Sequence, residues 1–235
     1  MTSKEEEKTD LIILNYNNYN YFFLFFLKNS KDDNVIFKKI LKKNIQNYLH
    51  KKWGSISLIE TTNKFILIPE KLYLKKDDKK YLSFVTKNDE NKIKKNLSNK
   101  IMCLYTSNND FKLKQKNIKN FHIFSLLITN QPKNNISNLQ TNIFLGGDKI
   151  IISIHKNNEL YYYNHFNNKN DYLKYLIILY KEYGLNQSKN LIAITSIYDQ
   201  DAIAMKEKLK KYFKKISINK MNENNNIKNI FNLKN

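Results

Sequence analysis

Arginine is absent from this sequence of 235 residues, and cysteine, proline and glycine are rare, with one, two and four residues respectively. The single cysteine, Cys103, excludes a disulfide framework and a zinc site built from several thiolates. It lies in the apolar run KIMCLYTS, which predicts a buried thiol and fits a reducing compartment. Neither a glycine-rich phosphate loop nor a Gly-x-Ser-x-Gly elbow occurs. Several common enzyme motifs are therefore excluded.

The positive charge of the chain has two competing explanations. All 41 basic residues are lysine, against 21 acidic residues, which gives a formal net charge of +20. Such a charge favours an anionic partner, such as nucleic acid or an acidic membrane surface. The alternative is codon bias, because Lys, Asn, Ile, Tyr and Phe share AT-rich codons and 38 asparagines accompany the lysines. The lack of arginine, whose planar side chain reads guanine and phosphate through paired hydrogen bonds, favours codon bias.

The first half of the chain predicts strands with a few helices. Residues 11–28 indicate a hairpin of two apolar strands, because the apolar run is too short for a membrane span and asparagines interrupt its centre. Residues 32–53 predict a helix, with apolar residues at helical spacing and Asp32 or Asp33 as the cap. Strands are predicted in SISLIET, in KFILIPE, which ends at Pro69, and in KIMCLYTS. DDKKYLSFV and NNDFKLKQKNIK predict helices, and the type of FHIFSLLIT stays open.

The second half of the chain predicts another sheet with helices. QTNIFLGGDKIIISIHKNNELYYYNHF predicts three strands joined by tight turns. A helix that ends at Gly184 follows, then the buried strand NLIAITSI, an amphipathic helix in DQDAIAMKEKLKKYF and a last strand in ISINK. The pattern predicts an α/β (mixed α+β) fold with two subdomains. Their predicted bounds are a flexible tail at 1–10, a first subdomain at 11–130, a linker at 131–140, a second subdomain at 141–220 and a low-complexity tail at 221–235.

Three stretches carry a resemblance to a known family. FILIPEKLY, with Pro69, precedes KKYLSFV; KIMCLYTS follows; and ELYYYNHFNNKNDYLKYLIILYKEYGL contains Asn164, Phe166 and Asp171 in a strand end, a polar turn and a helix start. In order and spacing they resemble the family called domain of unknown function 3822, known from Bacteroidota, over residues 11–218. That resemblance implies two ribonuclease-H-like subdomains with mixed sheets flanked by helices. It also implies membership of the actin-like ATPase superfamily, in a reduced form comparable to the cytoplasmic actin-like proteins of type IV pilus assembly.

An actin-like ATPase needs hairpin turns that place backbone amides and aspartates around phosphates and Mg²⁺. The first predicted turn, NYNNYN, has neither Gly nor Asp, whereas the second offers Gly147 and Asp148, and Asp199 with Asp201 begins a later helix. The alternatives are an ordinary hairpin turn for Gly147 and Asp148, and helix capping for Asp199. The four histidines lack metal-ligand spacing. We therefore expect a degenerate nucleotide site with no catalytic residue, no metal and no cofactor.

The leading hypothesis is a non-catalytic actin-like scaffold that binds an unidentified protein or a second copy of itself. One alternative is a basic RNA-binding protein with an exposed tyrosine from residues 161–163 as a stacking platform. The other is a residual ATP-binding protein that uses Gly147, Asp148 and Asp199. We expect weak attraction to nucleic acid and no membrane insertion. Without a recognisable signal or anchor, a cytoplasmic bacterial protein is expected.

Overall fold

The computed structural model describes residues 9–15, 21–28, 35–86, 93–107, 118–129, 139–146, 149–157, 159–166 and 172–220. The chain divides into two compact units, which separate after Asn130. The predicted linker at 131–140 and the predicted tail at 221–235 lie mostly or wholly outside the described residues.

The first unit contains a mixed sheet of five strands and an antiparallel sheet of three. Its strands are β1 (Thr9–Asn15), β2 (Tyr21–Lys28), β3 (Val35–Leu41), β4 (Ile56–Glu60), β5 (Phe65–Pro69), β6 (Ile93–Ser98), β7 (Ile101–Thr106) and β8 (Ile118–His122). Its helices are α1 (Gln46–Leu49), α2 (Asp78–Ser83) and α3 (Ile123–Thr129), with 3-10 turns at Lys42–Asn44, Glu70–Leu72 and Lys75–Asp77.

The five-stranded sheet has the order β3-β2-β1-β4-β8. Strands β1, β2 and β3 pair antiparallel, whereas β1, β4 and β8 run parallel. Alternate residues of these strands point to one face, as the twofold repeat of a strand requires. On that face Leu11, Ile13 and Leu58 pack against Ile45 and Leu49 of the helical segment, which forms a buried core. The small sheet has the order β5-β7-β6.

The helix predicted over residues 32–53 is wrong in its first half and is confirmed only in part of its second half. Residues Val35–Leu41 form β3, and the α-helix α1 covers only Gln46–Leu49. Pairing with β2 decides the outcome, because Phe37 lies opposite Phe25 and its ring stands 5.2 Å from that of Phe25 and 5.6 Å from that of Phe23. The β-branched start of the segment also fits a strand. Asp32 and Asp33, the predicted caps, lie outside the described residues.

The stretch FHIFSLLIT, whose type the sequence left open, divides between two elements. Residues up to His122 complete β8, and α3 begins at Ile123. Most of the helix predicted in NNDFKLKQKNIK lies outside the described residues, but its last two residues, Ile118 and Lys119, belong to β8. A helical end to that segment is therefore wrong.

The second unit repeats the strand plan of the first. Its strands are β9 (Gln140–Gly146), β10 (Lys149–Lys156), β11 (Glu159–Phe166), β12 (Ile192–Ser196) and β13 (Ile216–Lys220), and its helices are α4 (Tyr172–Glu182) and α5 (Asp199–Leu209). The order is β11-β10-β9-β12-β13, with β9, β10 and β11 antiparallel and β9, β12 and β13 parallel. The predicted strands and helices of this half are confirmed.

The core of the second unit lies between its sheet and its helices. Ile143, Ile152 and Ile194 of the sheet pack with Leu176 of α4 and Leu209 of α5, and all five are almost fully buried. Both units thus contain a mixed sheet flanked by helices, as predicted. In the part of the chain that the structure describes, no helix is long and apolar enough to cross a membrane.

Candidate functional site

The carboxyl ends of the parallel strands of the first sheet bring three buried polar side chains together. Asn15 ends β1, Glu60 ends β4 and His122 ends β8. Asn15 is the register partner of Glu60, and Glu60 is the register partner of His122. All three side chains are buried. Because ligands of open α/β sheets bind beyond the carboxyl ends of the strands, this edge is the candidate functional site.

The hydrogen bonds of His122 define its protonation state. Its Nε2 lies 2.9 Å from the carbonyl oxygen of Thr62, to which it donates. The backbone N–H of Phe124 donates to Nδ1 over 3.3 Å. Since Nδ1 accepts, the proton of the neutral ring is on Nε2. Both nitrogens of His122 are thus bound to the backbone of this chain, which holds the imidazole as a structural group.

Two aromatic rings of the small sheet, one from β5 and one from β7, lie next to His122. The ring of Phe65, in β5, is centred 4.7 Å from the imidazole, and that of Tyr105, in β7, is centred 5.2 Å away. Tyr105 is fully buried. Burial raises the pKa of its hydroxyl, and the negative charge of Glu60 raises that pKa further. The small sheet therefore supplies aromatic side chains to the candidate site.

A side-chain amide joins the small sheet to the edge of the large one. Asn96 of β6 accepts a hydrogen bond from the backbone N–H of His122 over 2.8 Å and donates one to the carbonyl oxygen of Asn120 over 3.0 Å. These two bonds satisfy backbone groups on the free edge of β8. They fix β6 against β8 and so hold the small sheet, with Phe65 and Tyr105, beside His122.

Glu60 interacts electrostatically with Lys42. Burial lowers the pKa of Lys42, and the negative charge of Glu60 offsets part of that shift. The ammonium group of Lys42 lies 5.5 Å from the centre of the Phe22 ring. A buried carboxylate is costly without such compensation, so Lys42 contributes to keeping Glu60 within the fold.

The predicted site residues lie in the second unit, and the structure describes only some of them. Gly147 and Asp148 are outside the described residues. Asp199 and Asp201 lie in the first turn of α5, whose N-cap is Tyr198, and the backbone N–H of Tyr198 donates to Ser196 Oγ over 3.2 Å. Their position suits the positive end of the helix dipole. The structure thus places Asp199 at a helix start, as the capping alternative required, although not at the capping position itself.

The residues of the family resemblance take structural positions. Pro69 is the last residue of β5, an edge strand, as its missing N–H allows. Phe166 ends β11 and is buried in the core, and its ring is centred 5.0 Å from that of Tyr175 at a tilt of 38°. Asn164 is exposed and accepts a hydrogen bond from the N–H of His165 over 2.8 Å. Asp171 lies outside the described residues.

Metal binding finds no support among the described residues, where no three His, Cys, Asp or Glu side chains are close enough to hold an ion. His50 is exposed, His155 contacts Ser153 Oγ at 3.0 Å, and His165 Nε2 lies 2.7 Å from the hydroxyl of Tyr163. Cys103 is a free, buried thiol, as predicted, and burial raises its pKa.

Glu60, His122 and Lys149 are the polar residues that sequence reasoning missed. Lys149, at the start of β10, is buried, and burial lowers its pKa to about 8. Glu60 follows the apolar run of SLIE at a strand end, and a polar residue that closes an apolar strand is the signal that could have identified it. His122 closes the strand IKNFH, whose lysine and asparagine interrupt any apolar run, so its local sequence carries no such signal. Nothing in the local sequence marks Lys149 as buried.

The fold places the chain in a class. A protein with actin-like ATPase fold and unknown function from Bacteroides thetaiotaomicron matches with a TM-score of 0.75 and 16% identity, over 100% of both chains. The chain therefore has the actin-like ATPase fold. The sequence profile of the family described as Protein of unknown function (DUF3822) matches residues 10–216, and the chain belongs to this family.

Two further solved structures match with lower scores. The cytoplasmic domain of EpsL, an inner membrane component of the type II secretion system of Vibrio cholerae, has a TM-score of 0.48 and 10% identity, over 92% of this chain and 87% of that one. An exopolyphosphatase from Cytophaga hutchinsonii has a TM-score of 0.42 and 10% identity, over 87% and 72%. No curated protein matches the sequence.

Proposed function

We propose that this protein is a non-catalytic actin-like scaffold, with a degenerate nucleotide site, that binds another protein or a second copy of itself. Support comes above all from the carboxyl edge of the first sheet. There His122 uses both ring nitrogens within the chain, and Phe65 and Tyr105 pack beside it. A phosphate-binding edge needs open backbone amides and acidic side chains that reach Mg²⁺, whereas aromatic rings here flank His122 and the carboxylate of Glu60 is buried.

An exposed apolar cluster supports the interaction role. Leu72, Leu74, Phe84 and Val85 are large exposed hydrophobic side chains around α2, with Phe84 exposed to 72%. The hydroxyl of Tyr81 holds the segment in place, since it donates to the carbonyl oxygen of Leu72 over 3.0 Å and accepts from the N–H of Leu74 over 3.3 Å. Rigid apolar clusters of this kind are typical of protein-binding surfaces.

Calorimetric titration with ATP and Mg²⁺ tests the degenerate site. We expect no heat of binding from the folded protein, with its circular dichroism as the control for folding. Micromolar binding would contradict the proposal and support a residual ATP-binding protein. In that event Asp148→Ala and Asp199→Ala decide whether the predicted residues take part, since loss of the heat in either variant assigns the nucleotide to them.

One observation favours nucleic-acid binding as a second candidate function. Tyr161 on the edge strand β11 is 45% exposed, and the ammonium group of Lys156 lies 5.9 Å from the centre of its ring. A basic residue beside an exposed aromatic ring is a feature of single-strand binding surfaces. Capture of a fluorescent single strand at physiological salt, lost in Tyr161→Ala, would support this function over the scaffold.

A further inference from the structure

We propose that a cleft on the first unit binds a short acidic peptide of a partner protein in extended conformation. This inference rests on the proposed scaffold function and names the chemistry of its partner. The cleft, called here the β3–α1 cleft, has a volume of about 610 Å³. One wall is the end of β3, and the other is the helical segment that follows it; the lining residues are Lys38, Lys39, Ile40, Leu41, Asn44, Asn47, Tyr48 and Lys51.

The charge of the β3–α1 cleft is of one sign. Lys38, Lys39 and Lys51 line it, and none of the described lining residues is acidic. The ammonium groups of Lys38 and Lys51 lie 5.5 Å and 5.7 Å from the centre of the Tyr48 ring, so one aromatic side chain positions two of the three cations. The amides of Asn44 and Asn47 add neutral donors and acceptors to the other wall. The cleft therefore complements a ligand with several negative charges.

The wall formed by β3 adds a backbone template. β3 is at the end of the sheet order and pairs with β2 on one side. The outward side of such an edge strand presents N–H and C=O groups that an added strand can bind. Ile36 and Leu41 on the same strand are 52% and 48% exposed, so apolar contacts are available beside the lysines. Because strand side chains alternate between faces, an extended peptide of alternating acidic and apolar residues can present its carboxylates to the face of Lys38 and its apolar side chains to the face of Leu41.

Phosphate ligands and nucleic acid fit this cleft less well. Phosphate sites use converging backbone amides at the start of a helix, whereas α1 has only four residues and follows a 3-10 turn, so that the N–H of Ile45 is already bonded to the carbonyl oxygen of Lys42. Base stacking needs an exposed aromatic ring, whereas Tyr48 is only partly exposed and its ring is centred 6.0 Å from that of Phe26. The extended arrangement of charge along a strand edge favours the peptide.

Fluorescence anisotropy with a labelled peptide of alternating glutamate and valine tests the inference. We expect saturable binding, and K38E combined with K51E should weaken it by about tenfold or more, because two attractive contacts become repulsive. The matched control is K208E with K211E, which reverses two exposed lysines of the second unit and should change the affinity less than about twofold. Equal weakening in both variants would mean attraction to net charge alone and would overturn the assignment.

Two further probes separate the chemistry of the occupant. The same peptide with N-methyl groups on alternate amides should bind at least about tenfold more weakly, because strand addition needs its N–H groups. An unchanged affinity would overturn the edge-strand geometry. Inorganic phosphate and a single-stranded oligonucleotide serve as competitors at the same concentration of negative charge as the peptide. Displacement of the peptide by either would overturn the peptide assignment. None of these probes is a nucleoside triphosphate. A failure of the peptide proposal is therefore distinguishable from a failure of the degenerate-site proposal, which the calorimetric titration with ATP tests.

Discussion

At the scale of single residues, the polar side chains of this protein are informative mainly through burial. His122, Glu60 and His155 are all nearly inaccessible to solvent, although histidine and glutamate are usually exposed. His122 has both ring nitrogens hydrogen-bonded within the chain, and Lys42 lies in the electrostatic surroundings of Glu60. The functional argument depends on these environments, since the same residue types on a surface would indicate nothing.

The burial of His155 predicts a loss of stability in acid. Burial lowers the pKa of His155 to about 4, below the ordinary 6.5. As the pH falls from 6.5 to 4, the unfolded chain takes up a proton that the folded chain does not, and stability decreases by up to about 3 kcal/mol. Urea unfolding at a series of pH values should show this decrease, and His155→Gln should reduce it. His50→Gln, at an exposed histidine, is the matched control.

At the scale of secondary-structure elements, the local sequence specifies where helix α4 ends. Helix α4 is followed by Gly184, whose φ of +63° lies in the left-handed region. The N–H of Leu185 donates to the carbonyl oxygen of Tyr180 over 2.8 Å, and Leu185 joins the core. This hydrogen bond and this apolar contact are those of a Schellman motif. The glycine was identified in the sequence because few other residues adopt this conformation cheaply.

Gly184→Ala should destabilise the protein by about 1–2 kcal/mol, because an alanine pays the conformational cost of the left-handed region. No atom lies within 4 Å of the position that the added Cβ would take, so steric clash contributes nothing. Thermal or urea unfolding measures the change. Gly184→Asn is the comparison and should lose less, since asparagine tolerates this conformation better. An alanine variant as stable as the parent would show that the backbone relaxes around the residue.

At the scale of the whole molecule, the charge of +20 comes entirely from an excess of lysine. Exposed lysines occur in both units, for example Lys75 and Lys76 in the first and Lys210 and Lys211 in the second. Dispersed charge of this kind attracts polyanions without specificity, and salt screens the attraction. Codon bias would produce such a distribution, whereas a recognition surface requires local concentration, such as that proposed for the β3–α1 cleft.

Binding of a fluorescent single-stranded oligonucleotide should therefore depend steeply on salt. We expect affinity to fall by about tenfold or more between low and physiological salt, because released counterions supply most of the binding free energy. Anisotropy titrations at several salt concentrations measure the slope. Retention of tight binding at physiological salt would contradict this account and support the nucleic-acid alternative.

The sequence by itself determined the features that depend on local chemistry. Pro69 ends a strand because it has no N–H, Gly184 ends a helix because it accepts a positive φ, and the alternating strands of the second half follow from their apolar runs. The order of these features was enough to indicate the family and its fold. Local pattern sufficed because each of these residues acts through its own backbone.

Only the tertiary structure decided the rest. Residues 35–41 have helical spacing, yet they form β3 because β2 offers a partner strand and Phe23 and Phe25 pack on Phe37. Asn15, Glu60 and His122 meet at one edge although 107 positions separate the first from the last, as their register shows. The β3–α1 cleft likewise depends on how a strand and a helix pack. Such contacts depend on how separate elements pair and pack in three dimensions, which no local pattern specifies.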